Sequence, residues 1–124
     1  MRIFSPTIGG SFEGSQLKGE IVPGGGDWLL IRPDGVAEMN IREIARTNDE
    51  QMIYVSATGL IVATPDVFQQ WQQNQPVDPS RYSMRSVYAF ETSAEQYAWL
   101  NRIVAVGLYT RTPMGIEGDV YQIL

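Results

Sequence analysis

The sequence predicts an all-β domain with one short helix, its strands antiparallel and wrapped into a closed or nearly closed β-barrel. Three observations predict it. Apolar residues alternate with a period of two in several strand-length runs, turn residues separate those runs at regular spacing, and only one segment carries a convincing helix start. At 124 residues, with 44% apolar and 19% charged side chains, residues 1–124 have the size and composition of one globular domain.

Taken in order, Leu17 to Val22 reads as a strand, Gly24-Gly25-Gly26-Asp27 as a hairpin turn, and Trp28 to Ile31 as the next strand. The glycines do not read as a phosphate loop, since no Lys-Ser/Thr follows and no helix starts there. Pro33-Asp34-Gly35 is a second turn. Val36 to Arg46 alternates cleanly, with Ala37, Met39 and Ile41 on one face and Glu38, Asn40 and Arg42 on the other. Asn48-Asp49-Glu50 turns the chain into a β-branched strand from Met52 to Ala63. Thr64-Pro65-Asp66 starts the helix: Thr64 caps, Pro65 takes the first position and Asp66 complements the dipole. The helix runs to about Asn74, burying Val67, Phe68 and Trp71, and Pro76 ends it. Tyr82 to Glu91 is again a strand, Glu95 to Leu100 a helical turn, and Arg102 to Thr112 with Gly115 to Ile123 a final hairpin.

The chain has no cysteine and no histidine. This excludes thiolate nucleophiles, Ser-His-Asp triads and the usual zinc ligands, and no EF-hand spacing offers an oxygen-only site. No metal and no cofactor are therefore expected, and any catalysis falls to carboxylates, Tyr, Lys, Arg or backbone dipoles. A net charge of −5 argues against nucleic acid as a partner. No run approaches the ~20 apolar residues of a membrane span, and no signal-peptide core precedes the glycines, so a cytoplasmic location without membrane contact is expected.

Several segments together resemble the UPF0311/DUF3237 family of small β-barrel proteins. They are Gly9-Gly10-Ser11-Phe12-Glu13-Gly14, Leu17-Lys18-Gly19-Glu20, Pro23-Gly24-Gly25 with Asp27-Trp28, and Arg32 through Glu38. Ile53-Tyr54-Val55, Phe90-Glu91, Tyr97 through Asn101 and Asp119-Val120-Tyr121 continue the match in order. The resemblance implies a calycin-like barrel and little about activity, the family's usual label being a protein of unknown function. Two departures stand out. The N-terminal strand that members usually carry before the segment matching Arg2 to Gly14 is absent, which implies an incompletely closed barrel. Asn40 stands where many members have an acidic residue.

A small barrel either fills its interior or holds one small ligand. The candidate catalytic groups are Asp27, Tyr54 and Glu91; the candidate ligand-binding groups are Trp28, Asn40, Arg42, Trp99 and Asn101. In a functional arrangement the two tryptophans stack on a flat ligand, and Arg42 orients an anionic or carbonyl oxygen. Glu91 or Asp27 serves as general base, and Tyr54 as acid or oxyanion donor. Each residue also has a plainer role. Asp27 can fix its turn, Arg42 can pair with Glu38 on the surface, Trp99 can sit in the core, and Asn101 can tie down a bend. Which face of Val36 to Arg46 lines the lumen decides much, because with Met39 and Ile41 inside, Arg42 faces water.

The function expected is that of a small-molecule-binding barrel, as a cofactor-independent isomerase, cyclase or lyase on a hydrophobic or aromatic metabolite. A non-catalytic carrier and an oligomeric structural protein are the alternatives. The absent strand leaves a sheet edge, which predicts a homo-oligomer, most simply a two-fold dimer with the first strand region at or near the contact. Otherwise Met1 to Pro6 must fold back as a substitute strand.

Overall fold

The structure, a computed structural model, describes all 124 residues. Eight strands make one antiparallel sheet: β1 (Arg2–Pro6), β2 (Gly10–Glu13), β3 (Lys18–Ile31), β4 (Ala37–Thr47), β5 (Met52–Ala63), β6 (Tyr82–Glu91), β7 (Val104–Thr112) and β8 (Gly115–Ile123). Their order is β1-β3-β4-β5-β6-β7-β8, with β2 also paired to β3. Helix α1 (Pro65–Gln72) links β5 to β6, and 3₁₀ segments cover Pro79–Arg81 and Glu95–Arg102. β8 pairs only with β7, so the sheet curls without closing. No helix is long and apolar enough to cross a membrane.

β5, β6 and β8 begin and end where the sequence pattern places them. Helix α1 stops short of Asn74, which adopts φ 56°, and Thr64 makes no side-chain cap. The hairpin expected at Gly24-Gly25-Gly26 does not form. β3 runs straight through these glycines, and its pairing with β4 shifts between Val22 and Gly26. The physical reason is close approach. A Cβ on Gly25 would lie 2.1 Å from the Arg42 carbonyl oxygen, and one on Gly26 would lie 2.5 Å from the Phe4 ring. The glycines therefore make a bulge that bends a long strand, with Gly24 at φ 124°.

The first residues also differ from the main expectation. Arg2 to Pro6 pair with Leu30 to Gly26, so β1 covers the edge of β3 that a missing strand would have left bare. The uncovered edges are the far sides of β8 and of the β1–β2 segment.

Alternation sets the interior. Ala37, Met39 and Ala45 of β4 and Ile53, Val55, Ala57 and Ile61 of β5 are buried. One apolar cluster, built on Met39, Ile61, Val67, Trp71 and Met84, packs α1 against one end of the barrel. A second, built on Ala45, Ile53, Val55 and Leu100, packs the Glu95–Arg102 segment against the other.

Candidate functional site: a polar band in the lumen

Between the two apolar clusters the inward positions turn polar. Register places Asp27 of β3 opposite Ile41, Ile41 opposite Ala57, and Ala57 opposite Tyr88 of β6. Glu43 of β4 shares the inward face of Met39 and Ile41. It lies opposite the bulge, because Val22 pairs with Ile44 and the next pairing is Gly26 with Arg42. On the β3 side the bulge leaves Glu43 without a register partner, while on the other side it pairs with Val55 of β5.

Asp27 Oδ1 accepts the Asn40 backbone N–H at 2.8 Å, and Glu43 Oε1 accepts the Thr7 hydroxyl at 3.0 Å. Neither carboxylate has a cationic partner, since the ion pairs join Arg32 to Asp34 and Glu38, Arg46 to Glu20, and Arg81 to Asp66. Burial pushes both carboxyls above their ordinary values, against the hydrogen bonds that each accepts. The charge of Asp27 adds to the rise at Glu43.

Tyr88 and Tyr109 of β7 complete the band, hydrogen-bonded hydroxyl to hydroxyl. Burial raises both phenols, and the Glu43 carboxylate adds to each rise, so both are neutral near physiological pH. Gly107 makes room for the pair: a Cβ there would lie 2.4 Å from the Tyr109 ring and 2.8 Å from the Tyr88 ring. The Ser86 hydroxyl, inward on β6 and in a residue only 3% exposed, lies beside the Tyr88 phenol, whose rise it opposes, but completes no hydrogen bond of good geometry. An unpaired buried hydroxyl costs about 1–3 kcal/mol unless something fills the need.

A cleft of about 520 Å³ opens where the β6–β7 ladder ends at Arg85 and Leu108, and it touches the band at Tyr109. Its walls include Tyr82, Glu117 and Asp119 but neither Asp27 nor Glu43. The band is where half-buried carboxylates and phenols lie near one another, and the cleft meets it only at Tyr109.

Of the residues singled out in the sequence, only Asp27 turns its side chain into this band. Met39 and Ile41 face inward, so Arg42 faces solvent, where its guanidinium donates to the Tyr54 hydroxyl at 3.0 Å. Glu91 pairs across from Tyr54 on the same outer face. Asn40 is exposed and meets the band through its backbone alone. Trp28 is 46% exposed outside the barrel, its ring 4.8 Å from that of Phe4. Trp99 packs on the apolar cluster around Leu100. The Asn101 side chain donates to Thr92 O and accepts from Thr92 N, tying the bend before β7. The structure thus gathers Arg42, Tyr54 and Glu91 outside and separates the two tryptophans.

Glu43, Tyr88, Tyr109 and Ser86 are the band residues that sequence reasoning passed over. A signal for Glu43 was present, since it continues the parity of Ala37, Met39 and Ile41, and a carboxylate on an apolar face is costly without a purpose. Bringing the tyrosines to it required the strand register.

The fold and this band define a small, open antiparallel β-barrel with carboxylates and phenols in its lumen. The chain belongs to the DUF3237 family, described as proteins of unknown function, whose model matches residues 1–123. A UPF0311 protein of Rhodopseudomonas palustris is 29% identical over 124 residues, which is 100% of this chain and 81% of that one. PR-toxin biosynthesis cluster protein 7 of Penicillium roqueforti is 26% identical over 95 residues, 73% of this chain and 51% of its own length. Among solved structures, a beta-barrel like protein of Acinetobacter baumannii is 36% identical with TM-score 0.82, covering 98% of this chain and 77% of that one. A conserved R. palustris protein of unknown function superposes with TM-score 0.92 at 29% identity, over 99% and 83% of the two chains. An enzyme from Penicillium herquei shares the fold, with TM-score 0.67 at 21% identity over 94% and 70%.

Proposed function

We propose that this chain binds a hydrophobic or aromatic metabolite in its lumen and moves a proton on it without a cofactor, as an isomerase, cyclase or lyase does. The observation that carries the reading is the pair of inward carboxylates without cations, set beside a neutral phenol pair. A carboxylate raised by burial is a stronger base toward a weakly acidic C–H or O–H. A neutral phenol can donate to the oxygen on which charge then develops. In the simplest cycle Asp27 or Glu43 takes a proton from the carbon beside a carbonyl, a tyrosine hydroxyl stabilises the enolate oxygen, and the carboxylic acid returns the proton. The apolar clusters at both ends limit water, which strengthens each interaction. The P. herquei neighbour, described as an enzyme, and the toxin-cluster relative support catalysis by analogy.

The test uses 2-tetralone in D₂O, with deuterium incorporation at its α carbons followed by NMR. Wild-type protein accelerates exchange beyond buffer; Asp27→Asn or Glu43→Gln lowers the acceleration at least tenfold, and Arg42→Ala leaves it unchanged. Exchange at the buffer rate with every variant overturns the catalytic reading. A cytoplasmic location belongs to the same proposal.

Self-association is a second reading, and the outer edge of β8 favours it. All nine β8 residues are exposed, Ile116, Val120, Tyr121 and Ile123 among them. An unpaired apolar edge of this kind invites another strand, and a two-fold dimer is the simplest way to supply one.

A further inference from the structure

We infer that the lumen sorts ligands by charge, taking an uncharged molecule that offers a hydroxyl or carbonyl oxygen and rejecting carboxylates and phosphates. This rests on the reading of the polar band as a ligand site, and it names the class of ligand.

The chain has nine Lys and Arg residues, and none reaches the band. Arg32, Arg46 and Arg81 are engaged in ion pairs, and Arg42 is bonded to Tyr54 on the outer face. Arg2, Lys18, Arg85 and Arg102 are exposed. Arg111 alone continues the inward parity of Gly107 and Tyr109, and it is held at the α1 end. Its guanidinium lies 5.5 Å from the Trp71 ring centroid and donates to the Trp71 carbonyl oxygen at 3.5 Å. The band itself holds only negative or neutral groups: Asp27, Glu43, the two phenols and the hydroxyls of Thr7 and Ser86.

An anion entering such a space meets repulsion with no compensating cation. At a separation of about 6 Å and an effective dielectric near 20, one carboxylate lowers the affinity of a monoanion roughly a hundredfold. An uncharged oxygen meets the opposite situation. The Ser86 hydroxyl completes no hydrogen bond of good geometry, and hydroxyls can donate or accept as the ligand requires.

The matched probes are 2-naphthol and 2-naphthoate, which share a ring system and differ in charge at pH 7.5. Binding is followed by NMR, reading the Tyr88 and Tyr109 ring signals and the Gly107 amide. Wild-type protein binds the naphthol with shifts at those three residues and binds the naphthoate at least tenfold more weakly. Asp27→Asn and Glu43→Gln, singly and together, each keep the fold and narrow that gap. Equal affinity in wild-type protein overturns the charge inference and leaves the lumen as a ligand site. A gap that persists in the double variant overturns it too, because the discrimination then arises elsewhere. Failure of both probes to shift lumen residues removes the site reading and the inference together.

Discussion

The hydroxyls of Tyr88 and Tyr109 bond to each other across the β6–β7 seam, their rings crowding over Gly107. The bond is partly buried, so removing one hydroxyl strands the other. Tyr88→Phe and Tyr109→Phe are each expected to lower stability by about 0.5–1.5 kcal/mol in urea titrations. The double variant should cost less than the sum of the two, because no polar atom is then left without its partner. Strict additivity would mean that the two hydroxyls do not depend on one another in solution.

Gly107→Ala probes the same feature from the backbone side. Its added methyl would collide with both tyrosine rings, and overpacking of this kind costs about 1–3 kcal/mol. Thermal unfolding should show the loss, and the Tyr88 and Tyr109 ring resonances should shift more than any others. An unchanged melting temperature would place the rings elsewhere.

The inward carboxylates make a signed prediction about pH. Both are raised in the folded chain, chiefly by burial. The folded protein therefore holds these protons more tightly than the unfolded chain, and the stability they contribute is fully present below the ordinary carboxylate range. It is lost as pH rises through the folded values. Asp27→Asn and Glu43→Gln should consequently raise Tm at pH 7. A gain of roughly 2–4 °C, about 0.5–1 kcal/mol, allows for their partial exposure to solvent. The advantage should vanish near pH 3. Variants less stable than wild type at pH 7 would show that the carboxylates hold the barrel together.

Sedimentation velocity at micromolar concentration tests self-association. A two-fold dimer gives twice the 13.9 kDa of one chain, with the monomer appearing on dilution. Placing lysine on the β8 edge, by Val120→Lys and Ile123→Lys, should shift the equilibrium toward monomer, since charge blunts strand edges. A single 13.9 kDa species at every concentration defeats the dimer.

The architecture was more legible than the site. β5 and β6 announce themselves because alternation, β-branched composition and flanking turn residues agree over their full length. β1 and β2 are short and interrupted by Pro6 and the Gly9-Gly10 pair, which break any visible period. The three glycines were misread for a physical reason. Glycine serves tight turns and close strand contacts alike, and the distinction lies in what stands opposite, here Arg42 and Phe4. The same ambiguity hid the site, because the bulge sets which residues meet Glu43. Asp27 was recognised as a polar group worth weighing, whereas Arg42, Tyr54 and Glu91 form their cluster on the face that alternation alone left undecided.

The β7–β8 hairpin is joined to the rest of the sheet through a ladder of residues Arg85–Tyr88 with Ala105–Leu108, and β8 has no neighbour beyond it. Local opening is easiest where strand pairing is sparse, so this hairpin is expected to open before β3 to β6 part. The Tyr88–Tyr109 bond and the contacts of Arg111 with Tyr82 and Trp71 must break with it. Swinging it out carries Tyr109 away from Tyr88 and parts the lumen along its length. On the proposed reading, a guest larger than any static aperture would then enter as these pairs and contacts part, and the wall that carries Tyr109 would also time admission.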